Sequence, residues 1–139
     1  MSLAKDMATL LQTQGVGTVG TDIFYGTMPD TDLHPDAAWA VIETGATFVN
    51  SKYKRDELTF QVLIRGPRQD YDTGYTNAKT AFDALLGIAN QTVNGTDYLQ
   101  FNTDSGIINL GNDARDRARF SINFRVVREN VSGGARSTF

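Results

Sequence analysis

The sequence predicts an α+β fold: a mostly antiparallel sheet of about five strands with one long helix and an N-terminal helix packed on it, in the order α-β-β-β-α-β-β. Three observations carry this. Leu58, Phe60, Val62 and Ile64 alternate with Thr59, Gln61, Leu63 and Arg65, the period of two expected of a half-buried strand. Phe120, Ile122, Phe124 and Val126 alternate in the same way with Ser121, Asn123, Arg125 and Val127. Between these two runs, Tyr71, Tyr75, Ala78, Phe82, Leu85 and Ala89 recur at steps of three and four, one stripe along a helix of about five turns.

The remaining elements follow in chain order. Leu3, Met7, Leu10 and Leu11 share a helical face, with Ser2 as a cap and Gly15 as a stop. After the run GVGTVG, the aromatic and β-branched stretch 22–28 reads as a first strand that ends at Pro29-Asp30. Trp39, Val41 and Glu43 alternate with Ala40, Ile42 and Thr44 in a second strand that Gly45 closes, and Gly66-Pro67 closes the third. Asp70 and Asp72 stand where the long helix begins and favour its dipole. Past the turn dipeptide Asn94-Gly95, residues 97–101 form a fourth strand. A polar loop over 103–116, with an apolar island at 107–110, leads to the last strand. Residues 1–139 read as a single domain ending in a flexible C-terminal tail over 130–139, where Gly133-Gly134 precedes Phe139. The predicted core is Phe60, Val62, Phe82, Leu85, Ile122 and Phe124.

Composition removes most chemistries. With 139 residues, 0 cysteines and one histidine, His34, the chain offers no thiol nucleophile, no disulfide and no Cys/His metal cluster. No catalytic residue, cofactor or metal is expected. A net charge of −3 argues against gripping nucleic acid or anionic membrane, and no apolar run approaches the roughly 18 residues of a membrane span. Nor is there a signal-peptide pattern at the N-terminus, so folding in a cytoplasm is expected.

Each apparent motif has a plainer reading. Gly15-Val-Gly-Thr-Val-Gly20 matches the dinucleotide fingerprint in letters, but it follows a helix and precedes a strand, the reverse of what phosphate binding at a helix N-terminus requires. The aspartates of 103–116 lack the EF-hand spacing and read as a solvated loop. His34 reads as an exposed loop residue. Arg115, Arg117 and Arg119 read as charge guarding a strand edge, with a basic binding ridge as the alternative.

The long loops for so small a chain, about ten residues at 29–38, about a dozen at 45–56 and the longer one at 103–116, point to contact with other chains. The stretches Leu10-Leu-Gln-Thr-Gln-Gly15-Val-Gly-Thr-Val-Gly-Thr-Asp22-Ile-Phe-Tyr-Gly-Thr-Met-Pro29, Thr59-Phe-Gln-Val-Leu-Ile-Arg-Gly66, Ala81-Phe-Asp-Ala-Leu-Leu-Gly87 and Phe120-Ser-Ile-Asn-Phe-Arg-Val-Val127 resemble tail-terminator, or tail-completion, proteins of long-tailed bacteriophages. That resemblance implies a subunit of a six-fold ring at the head-proximal end of the virion tail. The ring would stop growth of the tube built by the major tail tube protein, meet a head–tail neck or connector protein, and pass DNA through its lumen without specific binding. Phe48, Val49, Tyr53, Lys54, Arg55 and Phe139 are the candidate subunit and tube contacts, because aromatic and arginine side chains dominate interfaces. A neck adaptor of the same virion remains a second reading. A small cytosolic binding module or enzyme is a third, from a different class.

Overall fold

The computed structural model describes residues 3–30, 34–49, 55–86 and 88–129. Its elements are α1 (Leu3–Thr13), β1 (Ile23–Tyr25), β2 (Ala38–Val49), β3 (Arg55–Arg68), α2 (Tyr71–Leu86), β4 (Ala89–Val93), β5 (Thr96–Asn112) and β6 (Arg117–Glu129). One six-stranded sheet holds all the strands in the order β1-β2-β3-β6-β5-β4. Every neighbouring pair is antiparallel except β1 and β2, which run parallel. The α+β class and the two helices are as expected, while the strand count is six and a parallel pair stands at one edge.

The core lies between the sheet and the two helices. Cross-strand pairs Trp39↔Ile64, Val41↔Val62, Phe60↔Phe124, Val62↔Ile122 and Ile64↔Phe120 place large apolar residues side by side, all of them buried. Phe60 and Phe124 stack with ring centroids 5.2 Å apart. Against them α2 turns Gly74, Ala78, Ala81 and Leu85. This stripe is rotated from the expected one: Tyr71 and Tyr75 are 50% and 43% exposed, Phe82 is half-buried, and Ala89 belongs to β4. The reason is a close crossing. A Cβ built on Gly66 of β3 would lie 2.8 Å from Gly74 Cα, and one on Gly74 would lie 3.2 Å from the Phe120 ring. Only small residues fit between α2 and the sheet there, so the two tyrosines lean out along the flank of Phe120 at centroid distances of 5.5 and 6.0 Å.

Helix ends are satisfied by specific partners. Asp70 caps α2, its carboxylate accepting from Thr73 N–H at 3.1 Å and from the Thr73 hydroxyl at 2.7 Å. At the start of α1 it is Glu43 of β2 that accepts from Ala4 N–H, at 3.0 Å; Ser2, the expected cap, lies outside the described residues. Gly15 ends α1 at a φ of 82°, with Val16 N–H bonded to Leu11 C=O and Gly15 N–H to Gln12 C=O, the paired bonds of a Schellman motif. The glycine run therefore serves a helix-to-strand turn.

Three boundaries differ from expectation for one reason: a bulge lets a strand continue past a residue that ordinarily stops it. β2 runs through Gly45 with register shifts between Glu43 and Gly45 and between Ala46 and Phe48. β3 carries Gly66-Pro67 inside an irregularity between Arg65 and Arg68, where proline's missing N–H costs no ladder bond. β5 extends to Asn112, so most of the expected polar loop over 103–116 is strand, interrupted by shifts between Thr103 and Ile107 and between Asn109 and Gly111. The short polar β4 pairs back on β5 through Asn94-Gly95, both at positive φ, as a two-residue primed turn requires.

Candidate functional site

The long strands separate two ends of the sheet; at about 3.3 Å per residue, the 14 residues of β3 span roughly 45 Å. One end carries Phe48, Val49 and Arg55, three of the contact residues expected from sequence. Val49 pairs with Asp56, Arg55 pairs with Glu129 at the end of β6, and Asp97 pairs with Glu129 from the other side. Val49, Arg55, Asp97 and Glu129 therefore share one end of the sheet. Phe48 and Val49 belong to β2 and Arg55 opens β3, where the sequence reading had them in the connection between two strands. Tyr53, Lys54 and Phe139, like the tail at 130–139, lie outside the described residues. Near this end Arg125 pairs with Glu57 at 3.2 Å.

At the opposite end is a charged knot that sequence reasoning did not assemble. Arg117 is buried, and its guanidinium meets Asp30 at 3.0 Å, Asp36 at 3.1 Å and Asp113 at 2.8 Å. These aspartates come from two connections far apart in the chain, the β1–β2 loop and the β5–β6 turn. Arg65, also buried, donates to the backbone oxygens of Asp36, Pro29 and Pro35 at 2.7, 3.1 and 3.1 Å. Two arginines thus pin the β1–β2 loop against the sheet, one through its side chains and one through its carbonyls.

The electrostatics follow from this geometry. Hydrogen bonding from Arg117 holds the Asp30 carboxyl below the ordinary carboxylate range. Burial pushes Asp113 upward, but the backbone N–H groups of Arg117 and Arg115 and the Arg117 guanidinium outweigh it, and its carboxyl also sits low. Its aspartate partners, Asp30 first, raise Arg117, whereas burial lowers Arg65 and the neighbouring Arg117 charge adds to the effect.

The arginine triplet is thus neither a guarded edge nor a binding ridge. β6 is a central strand between β3 and β5, Arg117 is consumed by the knot, Arg115 reaches Asp30 at 3.3 Å, and Arg119 bonds the carbonyls of Gly111 and Leu110. His34 is half-buried with its ring edge-to-face on Phe24 at 5.2 Å, where the sequence suggested exposure. The sequence shows the knot's members separately, Asp30 and Asp36 in one connection and Asp113 with Arg117 in another, with nothing that joins them. Sequence spacing alone does not bring residues more than 80 positions apart together.

A second buried polar contact fixes the helical layer. Asp6 of α1 accepts from the Tyr98 hydroxyl and, at 2.8 Å, from Asn94 Nδ2, tying α1 to the β4–β5 hairpin. Burial, and then the Asp6 carboxylate, push the Tyr98 phenol upward. Among the described residues, no group of three or more His, Asp or Glu side chains is placed to hold a metal ion, and no helix is long and apolar enough to cross a membrane.

The family description "Bacteriophage tail terminator protein" matches residues 10–130, which takes in every strand and α2. The chain belongs to the bacteriophage tail terminator family. It is accordingly a structural protein of the virion tail and not an enzyme. The fold is shared with a chain from the virion of a native gene transfer agent particle, with a TM-score of 0.67 at 14% identity over 93% of this chain and 96% of that one. A second solved structure has a TM-score of 0.51 at 14% identity, over 90% of this chain and 96% of its own. No curated protein sequence matches the chain. For a tail terminator, the two ends of the sheet differ in kind: one is tied shut by charge and the other carries Phe48, Val49 and Arg55.

Proposed function

We propose that the protein ends growth of the tail tube as a ring of six copies and offers the surface on which the head is joined. The observation that carries this reading is the tail terminator match across residues 10–130. Its partners are further copies of itself, the major tail tube protein on one side and a head–tail neck or connector protein on the other. DNA passes through the lumen unbound, past about −18 of charge over six copies of −3 each. Two different faces of each subunit meet around such a ring, so the contacts are heterologous.

The end of the sheet that carries Phe48, Val49 and Arg55 is the favoured contact surface, with Tyr53, Lys54 and Phe139 as the further contact residues. What supports it is the register that brings Val49, Arg55 and Glu129 to the same end of the sheet. Tyr53→Ala, or removal of residues 131–139, is expected to leave a subunit that melts near the parent temperature yet fails to complete tails. Electron microscopy and plaque titre check this. Normal tails with normal infectivity from both variants would remove this end from the contact surface.

A further inference from the structure

We infer that successive copies in the ring join by antiparallel strand pairing, with residues 101–112 of β5 in one copy lying along residues 42–49 of β2 in the next. The inference rests on the ring reading above and names the surface that would close it. Its starting point is incomplete coverage of the sheet. β1 pairs with β2 only at residues 39–41, and β4 pairs with β5 only between residues 96 and 100. Beyond those short covers, no described segment pairs with the outer side of β2 or of β5. On β5 the bare edge runs for roughly 40 Å at about 3.3 Å per residue.

A long bare edge is a template for another strand, and soluble monomers usually guard it with lysine, proline or inward charge. Neither stretch does so. Residues 101–112 contain no Lys, Arg or Pro and a single acid, Asp104, and residues 42–49 contain only Glu43, whose carboxylate is drawn to the N-terminus of α1. Bulges interrupt both edges, and bulges alone can blunt an edge. Here they also supply the bend and twist that a sheet passing around a ring needs, and they leave 101–103 and 107–109 of β5 in regular register with β6.

Strand direction supplies the second argument. β2 opposes β3, β3 opposes β6 and β6 opposes β5, so β5 runs opposite to β2. When a neighbour continues the sheet in the same sense, its β2 meets β5 antiparallel, the stronger of the two pairings. Because residues 43–49 stand level with 98–103 of β5, the neighbour is also slid along the strands, the stagger that tilted strands around a closed ring require. The two bare edges lie on opposite sides of the sheet and differ in sequence, so the contact is heterologous and propagates from copy to copy.

The protein has 0 cysteines, which makes the test clean. Asn102 pairs with Arg125, Ile108 with Ser121 and Ile42 with Gln61, while the Thr44 hydroxyl donates to that of Thr59, so all four residues share the sheet face away from the helices. One cysteine at Asn102 or Ile108 is combined with one at Ile42 or Thr44, and assembled tails are treated with a short bis-maleimide. Variants are kept only if they melt near the parent. The expected result is a ladder of linked multimers ending at six copies from at least one double variant, and no ladder from single variants. Six copies visible at the tube end without any ladder would overturn the strand pairing and leave the ring intact. Linking of single β5 variants to each other would equally overturn it. No ring at the tube end would sink both readings.

Discussion

Phe124→Ala is expected to cost about 4 kcal/mol of stability, read as a drop in denaturation midpoint at unchanged slope. Phe124 is 1% exposed, stacks on Phe60 and faces Phe82 at 6.4 Å. The cavity it leaves would be walled by Phe60 and Ile122 on a stiff central sheet, which cannot collapse to fill it. Phe82→Ala is the control. Its ring is half-buried on the outer side of the α2 stripe and carries Lys79 5.6 Å above it, so its loss should cost roughly half as much. If Phe82 costs as much as Phe124, the rotation of α2 described above is wrong.

Arg117→Ala should cost about 3 kcal/mol and loosen one whole end of the molecule. Removing one side of a buried ion pair typically costs 3–5 kcal/mol. The lower end applies because Asp30 and Asp36 are 46% and 39% exposed at their side chains and water partly replaces the guanidinium. Hydrogen exchange should rise in the β1–β2 loop and the β5–β6 turn, which Arg117 ties together. Arg115→Ala, removing a half-exposed partner of Asp30, should leave the melting curve nearly unmoved. The same knot sets an acid dependence. Asp30 and Asp113 have carboxyls held below their unfolded values, so the unfolded chain takes up protons first and the stability they contribute is present above about pH 4. It disappears as pH falls through their depressed values. The parent should therefore lose stability on acidification below about pH 4 more steeply than Arg117→Ala does. Parallel acid curves for the two would contradict the arrangement of charges.

What the sequence disclosed and what it withheld divide along physical lines. The alternations at 58–65 and 120–127 and the aspartates at 70 and 72 are local signals, and the structure places them as strands and a helix start. Gly45 and Gly66-Pro67 were legible only as breakers, because whether a bulge absorbs such a residue depends on the neighbouring strand. The polar run at 103–112 reads as loop since its outer edge is bare, so the sheet asks little apolar surface of it. The face of α2 lies one step from the stripe of large residues because Gly74, with no side chain to mark a buried face, is the residue that lets the helix touch Gly66. At the candidate contact end, Phe48, Val49 and Arg55 were chosen for their chemistry, and the register that joins them to Glu129 is a long-range property. The Arg117 knot was not foreseen for the same reason: its partners Asp30 and Asp36 are distant in the chain.

The central claim is that this tail terminator stops tube growth, and the distribution of tail lengths in particles assembled without it tests that most directly. Electron micrographs of lysates from a strain lacking the protein should show tails of uneven or excessive length, unattached to heads, and restoring the protein should return one length and joined particles. Tails of normal length carrying heads would contradict the account, and tails of normal length without heads would assign the protein to the neck instead.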